Sequence, residues 1–162
     1  MAARDILMIS IVIFTVAFSF LIIHFVANTM TTALIDVESL NETEQFVPIM
    51  EGVENMTERM DYLGFGVFIA LILGLVITGW FVGGNPLFMF VYFILVVMAV
   101  IISTIFDFVW DAISGASTFT TTLVSFPIMN HILSNLPMYM SIIGMVGLVV
   151  MFAKPYITGE TQ

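Results

Sequence analysis

Four ionisable side chains stand within or beside long apolar stretches of this sequence: His24, Asp107, Asp111 and His131. Ionisable groups are costly inside a membrane, so such residues are candidates for a polar pathway or a reaction centre. His24 comes near the end of its apolar run, where a neutral imidazole reaches water or a neighbouring residue. We therefore expect a structural role for His24 rather than a proton relay.

Asp107 and Asp111 stand one helical turn apart and share one helix face. A carboxylate pair can do acid–base chemistry, but glycosidase or aspartic-protease sites need both groups to converge on one substrate. The neighbouring sequence offers no nucleophile, metal partner or oxyanion donor. We expect a solvated helix end here and no catalytic residue.

Cofactor motifs are missing from the sequence. It contains no cysteine, no glycine-rich nucleotide-binding motif and no H-E-x-x-H zinc motif, and Lys154 is its only lysine. The sequence therefore predicts no bound cofactor or metal and no enzymatic activity.

The composition identifies the solvent in which the chain folds. Of 162 residues, 60% are hydrophobic and only 9% are charged, against roughly 25% charged in soluble domains. The mean hydropathy of +1.14 is too high for a core of this size to bury, because small domains have much surface for their volume. We expect an integral membrane protein. Its net charge of −9 also argues against nucleic-acid binding.

Four apolar runs are predicted to form transmembrane helices, because each has the length and the scarcity of charge that a span requires. Gly83, Gly84, Asn85 and Pro86 end the second helix and start the third, and Lys154 with Pro155 is expected to end the fourth. The predicted fold is all-α, with an extended acidic helical hairpin outside the bilayer between helices 1 and 2. The predicted spans are 6–27, 63–82, 87–106 and 137–153.

The few cations suggest an orientation. Arg4 precedes the first span and Lys154 follows the fourth, which places both termini on the cytoplasmic or interior side. The segments 36–62 and 107–136 then face outward, although Arg59 argues against this.

The outer segment 36–62 is acidic and amphipathic. Between Phe46 and Leu63 apolar residues recur every three or four positions, which indicates one apolar stripe on a helix. Asn41 and Glu44 resemble a capping box, and Asn41 and Asn55 begin N-x-T glycosylation patterns.

The helix face opposite the apolar stripe is predicted to dock a partner, whereas the stripe itself is more simply explained by packing inside the hairpin. The acidity could also reflect a high-salt habitat. The docking residues are Glu51, Glu54, Glu58 and Asp61.

Small residues repeat every four positions in the second span, a pattern that allows close approach of two helices in lipid. The partner helix belongs equally well to the same chain or to a second copy. Gly144 and Gly147 give weaker evidence of the same kind. The packing residues are Gly66, Ala70, Gly74 and Thr78.

The outer segment 107–136 has two interpretations. Gly115, the threonines at 118 and 120–122, Pro127 and Pro137 interrupt apolar residues that never reach a full span. A segment that re-enters the membrane would favour a pore or transporter, because broken backbone at that depth must line water or be buried in protein. We prefer an interfacial segment that covers the bundle.

These features favour a structural, non-enzymatic membrane subunit. It would pack with other membrane or capsid-like subunits as a homo- or hetero-oligomer, in a membrane-containing virion or a multisubunit membrane complex. The alternative is an oligomeric channel, a holin-like pore or a small transporter, with His24, Asp107, Asp111 and His131 lining water.

Overall fold

The computed structural model describes residues 2–35, 46–82 and 86–158. Within these ranges the chain is helical, with short turns and no strand. The described helices are α1 (Ala2–Ile35), α2 (Phe46–Glu58), α3 (Met60–Val82), α4 (Pro86–Ser114), α5 (Thr120–Val124), α6 (Pro127–Leu133) and α7 (Leu136–Thr158).

Prolines stand in the first turn of α2, α4, α6 and α7. There the missing N–H costs no intrahelical hydrogen bond and the fixed φ suits the helix. Pro155 is different, because α7 continues through it to Thr158. The predicted helix end at Lys154 and Pro155 is therefore wrong: a proline removes one hydrogen bond of a helix without always ending it.

Four helical stretches are long and apolar enough to cross a membrane, as predicted. They are Leu7–Leu34, Glu51–Phe81, Leu87–Ser114 and Leu136–Lys154. The second stretch covers the later part of α2 and nearly all of α3, which meet at a turn at Arg59.

Each helix is longer than the predicted span. α4 is the clearest case, because it continues to Ser114 rather than ending before Asp107. Both aspartates are helical, since a carboxylate on one face of a helix does not interrupt its backbone hydrogen bonds.

The two ends of the bundle are identified by two polar contacts. Lys154 Nζ donates to the carbonyl of Phe81 at 3.2 Å, which joins α7 to the carboxyl end of α3. Asp61, at the start of α3, contacts α6. Asp61 and Phe81 are separated by about 30 Å of helix, at ~1.5 Å per residue. α6 therefore lies at the end of the bundle opposite Lys154.

α1 runs in the same direction as α4 but is shifted along it. Phe14 stacks on Phe106, with ring centroids 4.6 Å apart, and Phe25 packs edge-to-face on Phe119 at 5.2 Å. Phe119 follows the end of α4, so the roughly 15 Å of α1 between Phe25 and Ile35 extends past α4.

The core changes along the bundle because of this shift. α1 contributes a buried stripe that runs for about 22 Å and reaches Phe126, beside α6, at its His24 end. Its residues recur every three or four positions: Ile9, Ile13, Ala17, Leu21 and His24. At the other end the core consists of α3, α4 and α7, packed around Leu75, Tyr92 and Met151. A Cβ on Gly79 of α3 would lie 3.8 Å from the Gly147 carbonyl of α7. An added Cβ would therefore be in ordinary van der Waals contact with the α7 backbone.

Candidate functional site: the end cap of the bundle

Residues 115–135, which include α5 and α6, fold over one end of the bundle and are called the end cap. Phe126, Met129, Ile132 and Leu133 of the end cap are buried. The cap packs against α1, α3, α4 and α7. These contacts hold the segment over the ends of the helices.

Asp61 joins the end cap to α3. Its carboxylate accepts hydrogen bonds from the backbone N–H of Ile128 at 3.0 Å and of Met129 at 2.8 Å. These are the second and third residues of α6, whose N–H groups a serine or aspartate at the N-cap would normally satisfy. Phe126 holds the N-cap position and makes no side-chain cap. Asp61 supplies the missing cap from another helix.

A glycine beside Asp61 allows α6 to approach α3. A Cβ on Gly64 would lie 2.8 Å from Sδ of Met129 and 2.9 Å from its Cγ. Real Cβ atoms do not come so close, so any larger residue would displace Met129. Met129 therefore packs directly on the α3 backbone, next to its own N–H bond to Asp61.

Trp110 joins the end cap to α4. Its Nε1–H donates to Oδ1 of Asn130 at 2.9 Å, and the indole is 1% exposed. Tryptophans of membrane helices are commonly interface anchors, but the Trp110 ring is buried inside the protein. The hydrogen bond to Asn130 satisfies the one polar atom that a tryptophan buries.

His24 contacts the cap from α1. Its ring packs edge-to-face on Phe126, with centroids 5.1 Å apart and an angle of 88° between the rings. Nδ1 of His24 is enclosed and has no hydrogen-bond partner in the described part of the chain. The imidazole thus fills space in the core beneath the cap.

The other three members of the predicted polar pathway lie in different environments. Asp107 is half-buried, and its Oδ1 is enclosed with no hydrogen-bond partner among the described residues. Asp111 and His131 are exposed, and the His131 ring packs edge-to-face near Tyr139 at 6.2 Å. In the described ranges no group of three His, Cys, Asp or Glu side chains could hold a metal ion.

The predicted acidic face is only partly as expected. Glu51 is exposed on α2, while Glu54 and Glu58, like the Asn41 and Glu44 capping box, have side chains outside the described part. Asp61 does not belong to this face, because it is 3% exposed and bonded to α6. Helical spacing predicts Asp61 on the face opposite the apolar stripe, but the end cap covers that face where Asp61 lies.

The apolar stripe on α2 also divides. Val53 lines a groove of about 440 Å³ together with Val26 and Met30 of α1. Met56, a member of the same stripe, is 64% exposed. Asn55 is exposed, and its Nδ2 donates to the carbonyl of Glu51 at 2.8 Å.

The small-residue face of α3 meets no other helix in the described part of this chain. A Cβ added to Gly66 or Gly74 would have no described atom of a neighbouring element within 4 Å, and Ala70 is exposed. Thr78 donates to the carbonyl of Gly74 at 2.7 Å, within its own helix. The structure therefore gives no support, at Gly66 and Gly74, to the alternative that this face packs on another helix of the same chain.

The close contacts inside the chain are made by other glycines. Added Cβ atoms on Gly144 and Gly147 would collide with Val96 and with the Tyr92 hydroxyl of α4. Sequence reasoning treated these two glycines as the weaker pair. It also missed Asn130 as a partner of Trp110. The sequence did contain one indication that α6 is capped from elsewhere in the chain. Pro127 starts this helix, and Phe126 before it has no side-chain acceptor.

Comparisons with known proteins add no relationship. No protein-family model, curated protein or solved structure matches this chain.

Proposed function

We propose that this protein is a structural, non-enzymatic subunit that packs in a bilayer as part of a larger membrane assembly. The observation that carries the proposal is the open small-residue face of α3, at Gly66, Ala70 and Gly74. Helices in lipid associate through close backbone packing, because lipid tails provide no hydrophobic drive between apolar surfaces. A face with this composition and no partner in the described part of its own chain suits a helix of another subunit, either a second copy or a different protein.

The projecting part of α1 supports a second contact. α1 extends past α4, and α2 lies beside it through Val53. We propose that α1 and α2 form the acidic hairpin outside the bilayer, and that its exposed acids, represented by Glu51, dock a partner. Acidic side chains would be repelled by anionic headgroups, which favours a protein partner over the membrane surface.

The proposed setting is a membrane-containing virion or a multisubunit membrane complex, with both termini on the cytoplasmic or interior side. Lys154 lies beside Phe81, at the end of the bundle opposite the end cap. Under the positive-inside rule, that end faces the interior and the end cap faces outward.

Replacing Gly66 and Gly74 by leucine tests the membrane contact. Both positions face open space, so G66L/G74L should leave the fold and the thermal midpoint in detergent unchanged while it blocks close approach of another helix. Chemical cross-linking in the native membrane should fall at least about threefold. Ala112→Leu, an exposed enlargement on α4, is the matched control. Equal cross-linking of G66L/G74L and the control would refute the contact.

Charge reversal tests the docking contact. The triple variant E51K/E54K/E58K should insert normally but lose most of its co-purifying partner, because the sign of the exposed face is reversed. Asp111→Lys, which reverses an exposed acid on α4, should retain the partner. Unchanged co-purification of the triple variant would count against docking through α2.

The second candidate function is an oligomeric channel, holin-like pore or small transporter. The observation that favours it is the enclosed Oδ1 of Asp107, which has no partner among the described residues of a single chain. Carboxylates in membrane helices commonly face a bundle interior or water. Water, or a second copy, would supply the missing partner in an oligomeric pore.

A further inference from the structure

An open cavity of about 350 Å³ lies where α6 meets α3 and α7. Four aromatic rings line it: Phe65 and Phe68 of α3, His131 of α6 and Tyr139 of α7. Phe65 and His131 are exposed, so the cavity is accessible from outside. We infer that this aromatic cavity binds a quaternary ammonium group, presented by the headgroup of a choline-type lipid.

Two of the lining rings meet a third one edge-to-face. Phe68 and His131 both stand nearly perpendicular to Tyr139, at 80° and 79°, with centroids 5.7 and 6.2 Å away. Aromatic faces carry negative potential and attract a cation within about 6 Å, and quaternary ammonium ligands are recognised in this way.

The charges around the cavity complement a cation. The Asp61 carboxylate lies directly behind one wall, where it accepts the N–H of Ile128, a lining residue. The chain has only three Lys and Arg residues. Lys154 lies at the other end of the bundle. Arg59 lies at the turn before α3, and Phe68 is about 12 Å along α3 from Met60, at ~1.5 Å per residue.

The position of the cavity fits a lipid headgroup. Tyr139 is about 4 Å along α7 from Leu136, and Phe65 is about 8 Å along α3 from Met60, at ~1.5 Å per residue. Tyr139 therefore lies in the first turn of an apolar helix that can cross a membrane, and Phe65 lies in the second turn of α3. Tyrosines are enriched at this depth, where hydrocarbon meets headgroups.

The test compares choline with its neutral tert-butyl analogue, in which carbon replaces the nitrogen. The full chain in a maltoside detergent at pH 8 is titrated with each probe, and binding is followed by ligand-observed NMR of the methyl groups. The two probes have the same shape, so only a cation-selective cavity separates them. We expect choline to bind at least about threefold more tightly. Equal or tighter binding of the neutral analogue overturns the proposal.

Phe65→Leu and Tyr139→Leu remove a ring while keeping an apolar side chain of similar size. Each should weaken choline binding at least about threefold, with little change for the neutral analogue. Phe93→Leu is the matched control, because Phe93 is an exposed aromatic in a different groove, between α4 and α7. Phe65 is itself partly exposed, so F65L should keep the wild-type thermal midpoint. Unchanged choline binding in F65L and Y139L overturns the proposal.

The source of the ammonium group is tested in nanodiscs. Headgroups of phosphatidylcholine should compete with labelled choline, so its binding should be weaker there than in phosphatidylglycerol nanodiscs. Equal binding in both overturns the assignment to a lipid headgroup.

Discussion

The carboxylate of Asp61 on α3 caps α6 from 68 residues away, accepting the N–H of Met129 at 2.8 Å. It also accepts the N–H of Ile128, so one buried acid satisfies two N–H groups that α6 cannot satisfy itself. The end cap depends on this contact because Phe126, its own N-cap residue, offers no acceptor.

Asp61→Ala should destabilise the protein by about 2–4 kcal/mol, because it leaves two N–H groups without their charged acceptor. Asp61→Asn keeps one acceptor oxygen and should cost about half as much. The free energy of unfolding in detergent, measured by denaturant titration, checks both values. Glu51→Gln, at an exposed acid, is the control and should change it by less than about 0.5 kcal/mol. A D61A protein as stable as E51Q would contradict the assigned role.

The bond from Trp110 to Asn130 should be visible in fluorescence. The chain has two tryptophans, so Trp80→Phe leaves Trp110 as the only emitter. Its buried indole should emit at short wavelength. Adding Asn130→Leu removes the acceptor and should cost about 1–3 kcal/mol of stability, with a shift of the emission. Asn28→Leu, at an exposed position on α1, is the control and should change neither the stability nor the emission wavelength. An unchanged spectrum in the N130L background would rule out the bond.

Tyr92 and Gly147 should behave as a coupled pair. Gly147→Ala should destabilise the protein by about 1–3 kcal/mol, because the added methyl meets the Tyr92 hydroxyl. Tyr92→Phe removes that hydroxyl, which is enclosed without a hydrogen-bond partner in the described structure, and should be neutral or stabilising.

The double variant Y92F/G147A should then recover part of the stability lost in G147A, because the phenyl ring and Leu75 still lie close to the added methyl. Denaturant titration of the single and double variants gives the coupling free energy between residues 92 and 147. Tyr62→Phe, at an exposed tyrosine, serves as the control background and should give no recovery. Additive losses in Y92F/G147A would show that the two residues are not in contact.

Ion flux separates the two candidate functions. If the protein is a structural subunit, proteoliposomes that contain it should hold an ion gradient as well as empty liposomes do. Asp107→Asn and Asp111→Asn should then change nothing. A flux that appears with the wild-type protein and falls at least about tenfold in D107N would favour the pore instead.

The sequence predicted the four apolar helices well, because length and hydropathy determine which segments can cross a membrane. It predicted their ends poorly. Asp107 and Pro155 were expected to mark helix ends, yet α4 and α7 continue past them. A helix end is fixed by the capping groups and neighbours that it meets in the fold, and these are not visible along one segment.

The contacts of the end cap were beyond sequence reasoning for a related reason. The spacing around Asp61 describes one helix face, but the face was covered by a segment 67 residues later in the chain. Likewise, the spacing of small residues shows which helices could pack closely, but it does not show which of them do so in the fold. Gly144 and Gly147 pack within the chain, whereas the more regular series that contains Gly66 faces open space.

The cap that Asp61 provides has a consequence for biogenesis. Asp61 leaves the ribosome before the backbone that it will bond, since Ile128 is made 67 residues later. Until then the Asp61 carboxylate lacks the two backbone donors that it has in the folded chain. The end cap can therefore be fixed to α3 only when the last third of the chain has been synthesised.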